Sequence, residues 1–407
     1  MRGLYTLSVR TYAAAVKTAA FFGNTKARLW TEGRKTFPAG ETSQEPWVWF
    51  HAASLGEFEQ GRPLIEAIKA SYPHIKISLT FFSPSGYEIR KNYPLADEVF
   101  YMPIDTPRNA RQWIQRHHFI AAFFIKYEFW FNTMKELHDR HIPLFYISLI
   151  LRPNQYFFHG YGRWFRKQLG HVTHFFVQDQ VTQQLLQNAG YQQVTLCGDT
   201  RFDRVAAIAR QATAFPEVEA FIQGRKCIIA GSSWPPDEKL LVSYLHKLPQ
   251  EYCLILAPHD ISDKHIQQLV GQLDDFQLYS DLHPEKPCKT LVVNTIGILS
   301  QLYQYARFVY IGGGFGVNIH NIQEPVTFGC PVVFGPKHTS FKEAVDLVAL
   351  GGAFCVNNQE ELNRIFDQLV QNDGFCQKAS AICKNYLNAQ LGATQKIMSQ
   401  ITSIFDV

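Results

Sequence analysis

At 407 residues the chain is too long for one ordinary core and suits two domains. Hydrophobic residues make up 46% and charged residues 18%, which excludes a disordered chain, and a net charge of +4 is too weak for general nucleic-acid binding. All eight cysteines lie from Cys197 onward without CxxC spacing, so free thiols in a reducing compartment are expected rather than disulfides or a zinc site.

The basic excess sits at the N-terminus. Residues 1–40 carry seven Lys or Arg (Arg2, Arg10, Lys17, Lys26, Arg28, Arg34, Lys35) against one acid, Glu32. Arg10 and Lys17 interrupt the apolar stretch 4–22, so it is no clean membrane span. Being two helical turns apart they share one stripe and leave Tyr, Ala, Val and Phe on the other faces. That pattern suits a helix lying in a bilayer interface beside anionic headgroups. A solvated amphipathic helix packed on the domain and a signal peptide are the competing readings, although no convincing cleavage site follows.

After Pro46, apolar strand candidates at 47–53, 76–82, 98–103, 119–126, 143–149, 172–178 and 192–197 alternate with helical stretches such as 57–71, 106–117, 129–139 and 180–189. This alternation predicts a largely parallel sheet covered on both faces. A second series begins near residue 225, with KCIIAG, EYCLILAP, TLVVN, ARFVYIGG and PVVFGP as strands and helices at 236–247 and 262–273. The break falls around CGDTRFDRV (197–205), where a strand ends in Gly-Asp and a polar turn follows, and 374–405 reads as one or two helices. Two Rossmann-like halves facing across a cleft are the most economical arrangement. The expected divisions are a membrane-associated segment 1–45, domains 46–200 and 201–373, and C-terminal helices 374–407.

Neither half carries a dinucleotide fingerprint or a P-loop, and His259 and His265, six apart, do not align on one helical face; no metal and no cofactor are expected. Loops after strand ends carry the remaining chemistry. Ser54-Leu55-Gly56-Glu57 reads as a capping box ahead of a helix, yet Glu57 is also a carboxylate at a sheet's edge. Gly231-Ser232-Ser233 offers open backbone donors and hydroxyls, His259 follows a strand, and His320, Asn321 and Glu324 open a helix after a glycine run.

HAASLGEFEQGRPLI, the YEFW of FFIKYEFW, GDTRFD, AGSS and GGGFGVNIHNIQEPVTFGCPVVFGP run in order between about residues 46 and 350. Together they resemble the Kdo transferases, which add 3-deoxy-D-manno-octulosonic acid (Kdo) to lipid A precursor in lipopolysaccharide assembly. The resemblance implies an α/β GT-B fold, with acceptor bound to the first Rossmann-like domain and nucleotide sugar to the second. It also implies an N-terminal membrane-associated helix and a place on the cytoplasmic face of the bacterial inner membrane. The implied donor is CMP-Kdo and the implied acceptor a hydroxyl of tetraacylated lipid A precursor (lipid IVA), with inverting, metal-independent transfer. By position Glu57 matches the family's proposed general base and Glu128 a second acidic position; Glu59 reads as a solvated helix residue. Gly231, Ser232 and Ser233 are implied to hold phosphate or sugar carboxylate, Asn321 and Glu324 the ribose, and backbone near Ile296-Gly297 the cytosine, with His259 and His320 as further donor contacts.

Two departures from the family pattern stand out. Pro258-His259-Asp260 replaces an Arg-His pair, leaving Lys337, His259 or Arg201 to supply charge, and Trp234-Pro235-Pro236 follows AGSS where polar and acidic residues are usual. Acceptor contacts are expected at Ser54 and Gly56, at Arg152, and in two basic stretches interleaved with aromatics: Arg108, Arg111 and Arg116, then Arg163, Arg166 and Lys167. The rival reading is a sugar-nucleotide epimerase of the same architecture, which needs neither a lipid acceptor nor a membrane-seeking N-terminus. A catalytically dead lipid-binding scaffold is the third.

Overall fold

The computed structural model describes residues 1–35, 45–283 and 285–405. By its contacts the chain divides into two compact units, residues 1–203 with 392–407, and residues 204–391.

The first unit begins with two helices, α1 (Arg2–Phe21) and α2 (Thr25–Glu32), and its third, α3, spans Leu55–Ser71. Its strands are β1 (Pro46–Ala52), β2 (Lys76–Phe81), β3 (Glu98–Tyr101), β4 (His118–Ile125), β5 (Leu144–Leu149), β6 (His174–Val177) and β7 (Val194–Leu196). They form one sheet in the order β3-β2-β1-β4-β5-β6-β7, every pairing parallel. Period-two alternation sends Val48, Phe50, Ala52, Ala121, Phe123 and Ile125 into the core on one face. Trp47, Trp49, Ala122 and Phe124 go to the core on the other. α3 covers the first face with Phe58, Leu64, Ile65 and Ile68, all fully buried and worth about 1.5–3 kcal/mol each. At Gly61 a Cβ would lie 2.2 Å from Ile125 Cδ1, so the missing side chain is what lets α3 press onto the end of β4.

The second unit repeats the plan with β8 (Lys226–Ser233), β9 (Tyr252–Pro258), β10 (Phe276–Leu278), β11 (Thr290–Val292), β12 (Ala306–Ile311), β13 (Val332–Phe334) and β14 (Ala353–Cys355). The order is β10-β11-β9-β8-β12-β13-β14, again parallel throughout. β10 and β14 lie outside the sequence expectation; at three residues each they carry too little alternation to stand out.

The C-terminal helices separate, contrary to their grouping as 374–407. Asp373–Gln390 stays with the second unit, while Ala393–Ile401 crosses to the first. The cause is apolar spacing: Ala393, Ile397, Ile401 and Phe405, four apart, enter the core beside α3. The GDTRFD stretch is the junction. Asp203 accepts from the Gly392 and Thr394 backbone amides at 2.7 and 2.6 Å, capping that helix across 189 and 191 residues. Asp199 pairs with Arg201 (2.6 Å) and accepts from buried Gln60 (3.4 and 3.5 Å). Residues 201–210, expected to open with a polar turn, are therefore a helix from Arg201.

α1 docks on the first unit through one stripe. Ala13 is buried, Arg2 Nε donates to Asn132 Oδ1 (2.8 Å), the Tyr5 hydroxyl donates to Asp105 Oδ2 (2.6 Å), and the Tyr5 ring meets Phe131 edge-on. Arg34, of the same basic segment, is a structural residue. Its guanidinium donates to the Trp30, Phe82 and Met102 carbonyls and lies 3.8 Å from the Trp30 ring centroid. Among the described residues no helix is long and apolar enough to cross a membrane. The remainder of the expected N-terminal segment, residues 36–44, lies outside the described residues.

Candidate functional site

In each sheet the chain reverses its direction of winding at the centre, between β1 and β4 in the first unit and between β8 and β12 in the second. Such switch points open a crevice beyond the carboxyl ends of the strands, where α/β folds place ligands. The sequence-derived acids and glycine loops fall at these two places.

In the first unit, β1 ends at Ala52 and α3 starts at Leu55, with Glu57 in its first turn. The reciprocal capping box does not form. The Ser54 hydroxyl donates to Glu57 Oε2 instead of accepting from the helix, and Gly56 leaves the turn uncovered. Glu57 is thus a half-buried carboxylate, held by one hydroxyl at the positive end of a 17-residue helix. Glu128 follows β4, just past Lys126, whose φ is +60°. Three of the five non-glycine positive-φ residues among those described, Lys126, Ser148 and Ser232, fall in or just after β4, β5 and β8, where functional sites store strain.

Tyr127 connects the two acids. Burial raises its phenol pKa, the charges of Glu57 and then Glu128 raise it further, and Arg152 opposes them. One exposed tyrosine therefore senses two carboxylates and an arginine. Behind Glu128 lies His51, fully buried. The Trp130 indole N–H donates to His51 Nε2 at 2.9 Å, and an indole nitrogen can only donate. The proton of His51 is then on Nδ1, 2.9 Å from Thr80 Oγ1. Glu128 Oε2 lies 3.5 Å from that accepting Nε2.

The basic candidates divide. Arg152 and Arg163 are exposed and Arg166 half-buried. Arg116 is a correction: it is buried, bonded to Glu98 at 2.8 Å and set under Phe100 and Trp113, a core ion pair unable to meet a headgroup. Glu59 is likewise tied to Arg90 at 2.7 Å rather than merely solvated.

In the second unit the glycine run approaches bare backbone. A Cβ on Gly312 would lie 2.3 Å from the Ser232 carbonyl oxygen, and Gly313 has φ +91°. Ser232 is at φ +52°, at an irregularity where β8 shifts its register against β9. Ser233 is a second correction, since it is fully buried and its hydroxyl donates to Glu238 Oε1 at 3.0 Å. His265 engages the same oxygen at 3.0 Å. The hydroxyl of Ser233 is committed inward and leaves only Ser232 to face a ligand.

Around this edge stand His259 after β9, exposed Ile296 with Gly297 (φ +100°) after β11, and Asn321 with Glu324 after β12. Asn321 Nδ2 donates to Glu324 Oε1 at 3.1 Å. Burial raises the Glu324 pKa against the opposing pulls of Asn321 and Arg204. Lys337 donates to the Gly316 carbonyl in this unit, whereas Arg201 belongs to the first unit and is engaged with Asp199. Burial and then His259 lower the His320 pKa, with Asp237 pulling the other way. His320 should therefore stay neutral at pH 7 and protonate below the ordinary 6.5, which an NMR titration of its imidazole shifts would check.

Residues 26–204 match the model of a family described as "3-Deoxy-D-manno-octulosonic-acid transferase (kdotransferase)". The 3-deoxy-D-manno-octulosonic acid transferase of Haemophilus influenzae is 24% identical over 371 residues, covering 86% of this chain and 85% of that one. That of Aquifex aeolicus is 24% identical over 323 residues, covering 77% and 83%. Over most of its length the chain is therefore similar to the Kdo transferases. The family is one of glycosyltransferases, and the two-domain α/β architecture is GT-B-like. A UDP-GlcNAc 2-epimerase from Neisseria meningitidis superposes with a TM-score of 0.59 over 88% of this chain and 99% of that one. At 15% identity this likeness is one of fold.

Several residues that shape these candidate sites escape a reading by motif. His51 and Trp130 frame Glu128, and Asp237 ties two loops of the second unit by accepting from the Trp234 and Gly313 amides at 3.0 and 2.9 Å. His51 opens the HAASLGE motif and Trp130 closes YEFW, so only their pairing was hidden.

Proposed function

We propose that this chain transfers Kdo from CMP-Kdo to a hydroxyl of a lipid A precursor such as lipid IVA, inverting the anomeric centre, with Glu57 as general base. The observation that carries this reading is the position of Glu57, on the positive end of α3 at the switch point, beside Glu128, Tyr127 and Arg152. The acceptor oxygen attacks the anomeric carbon opposite the phosphate, its proton passes to the Glu57 carboxylate, and the carbon–oxygen bond to CMP breaks with CMP leaving as the anion. The Ser54 hydroxyl holds the carboxylate for that task. Glu128, steadied beside His51, orients the acceptor, and Arg152, Arg163 and Arg166 meet its phosphates. In the second unit, backbone and Ser232 at the end of β8, His259 and His320 take the phosphate and sugar carboxylate, Asn321 and Glu324 the ribose, and the Ile296-Gly297 bend the cytosine.

The deciding experiment is incubation of purified protein with CMP-Kdo, with and without lipid IVA. CMP release that requires the lipid, with a product heavier by Kdo, supports the reading. Lipid-independent conversion of a UDP-sugar would replace it with the epimerase reading.

The same reading places the protein on the cytoplasmic leaflet of the inner membrane through α1. Leu4, Leu7, Phe21 and Phe22 are 61–86% exposed, beside exposed Arg10 and Lys17. Tyr5 of α1 also touches Trp164 of the basic helix Arg163–Gln168, so the apolar helix and the cationic acceptor candidates adjoin. Replacing Leu4, Leu7, Phe21 and Phe22 together with serine is expected to weaken binding to anionic vesicles by at least about tenfold without lowering thermal stability. Unchanged vesicle sedimentation would remove α1 from the membrane contact.

A further inference from the structure

At the switch point of the second unit three aromatic side chains meet, one from each of three loops. Trp234 follows β8, His259 follows β9, and His320 lies beyond β12. The ring of His259 stacks on Trp234 (centroids 4.7 Å, 29°) and on His320 (4.6 Å, 22°). The Trp234 indole N–H donates to His320 Nε2 at 3.0 Å. This bond has a single chemical outcome. Indole nitrogen is a donor and never an acceptor, so Nε2 must offer its lone pair and the proton of His320 must sit on Nδ1. That Nδ1–H has no hydrogen-bond partner among the described residues, and the half-buried ring leaves it to solvent or to a ligand.

The indole is itself held in place. Buried Asp237 accepts from the Trp234 and Gly313 amides and from the Tyr310 hydroxyl (2.8 Å), so one carboxylate sets the loop of the indole and the loop leading to the histidine. Pro235 and Pro236 then start a helix directly behind the ring, restricting the backbone. His259 is anchored through its amide to the Ser233 carbonyl at 2.9 Å, and His320 to the Gly312 carbonyl at 3.1 Å.

We propose that Trp234 is a positioning residue for the sugar-nucleotide donor: it locks His320 as the Nδ1–H tautomer, so that His320, with His259 stacked beside it, presents a fixed donor to an anionic oxygen of the nucleotide sugar. The oxygen belongs to the phosphate or to the sugar carboxylate, which share this chemistry. The proposal rests on the donor-site reading above.

The test compares wild type with Trp234→Phe, which keeps a stacking face and lacks the N–H. Three quantities are read: the ¹⁵N tautomer pattern of His320, the affinity for CMP by calorimetry, and KM and kcat for CMP-Kdo. Wild type is expected to show Nδ1–H. In Trp234→Phe the pattern should become mixed and KM should rise about threefold to tenfold with kcat nearly unchanged, the value of one hydrogen bond. An equal loss for CMP assigns the contact to phosphate, and a loss confined to CMP-Kdo assigns it to the sugar carboxylate. An Nε2–H wild type, or unchanged KM and CMP affinity in the variant, overturns the proposal while CMP binding by wild type upholds the donor reading. Absence of CMP binding by wild type overturns both. Trp234 is 38% exposed, so a melting curve matching wild type is expected and separates this loss from misfolding.

Discussion

Glu57→Gln is expected to lower kcat for Kdo transfer by about 10³-fold, within the range a positioned general base supplies. CMP affinity and thermal midpoint should not change. The amide keeps the size of the side chain and still accepts from the Ser54 hydroxyl, so the turn into α3 survives, but it takes no proton from the acceptor. The loss should be larger than that of Glu128→Gln, for which about tenfold is expected. Glu128 lies 3.5 Å from His51 Nε2, which already accepts from the Trp130 indole, so it makes no direct hydrogen bond there to lose. Single-turnover measurements with lipid acceptor check both variants. A Glu57→Gln enzyme retaining a tenth or more of wild-type kcat would move the base elsewhere, with Glu128 the next candidate.

Asp105→Ala is expected to cost about 3–5 kcal/mol and roughly 10 °C in midpoint, the largest stability loss of any single substitution considered. The carboxylate is buried and accepts four hydrogen bonds: the Tyr5 hydroxyl (2.6 Å), the Asn132 and Thr133 amides (3.0 and 2.9 Å) and the Thr133 hydroxyl (2.7 Å). It therefore caps the helix Phe131–Asp139 from a remote segment and anchors α1 to it. Burial and Asp105 together push the Tyr5 phenol far above its ordinary range, so Tyr5 remains a donor at any working pH. Alanine leaves all four donors without this acceptor. The capped helix begins one residue after Trp130, so activity should fall with stability. Urea unfolding gives the first number, and faster proteolysis within residues 1–22 would report release of α1. A loss below about 1 kcal/mol would show that water replaces the carboxylate at little cost.

Much of the architecture is written locally. The period-two runs of β1 and β4, the Val- and Ile-rich strands of both sheets and the intervening amphipathic helices are each properties of a few consecutive residues, and their observed ends fall close to those expected. Glu57 stood out for the same reason, as an acid just past an apolar run, and Glu128 through its place in the YEFW match. Local pattern failed where the determinant was short or remote. β10 and β14 are too brief to alternate, and the helix from Arg201 looked like a turn because its first residues serve a junction. Ser233 looked available because its neighbours are glycine and serine, yet β8 turns its hydroxyl onto Glu238, five residues ahead.

Local sequence therefore carries the two-fold repetition of a parallel α/β plan, the strand ends at which the candidate residues sit, and the resemblance to the Kdo transferases. What those residues do for one another follows from the folded arrangement. Ser54 supports Glu57 through its hydroxyl instead of capping the helix. His51 Nε2 accepts from an indole 79 positions away, and His320 Nε2 from another 86 positions away. Asp203 caps a helix that crosses back into the first unit. The physical reason is the same in each case. Strand and helix formation follow from backbone preference and side-chain periodicity within a few residues, whereas a proton's place on an imidazole depends on which donor folding brings within 3 Å.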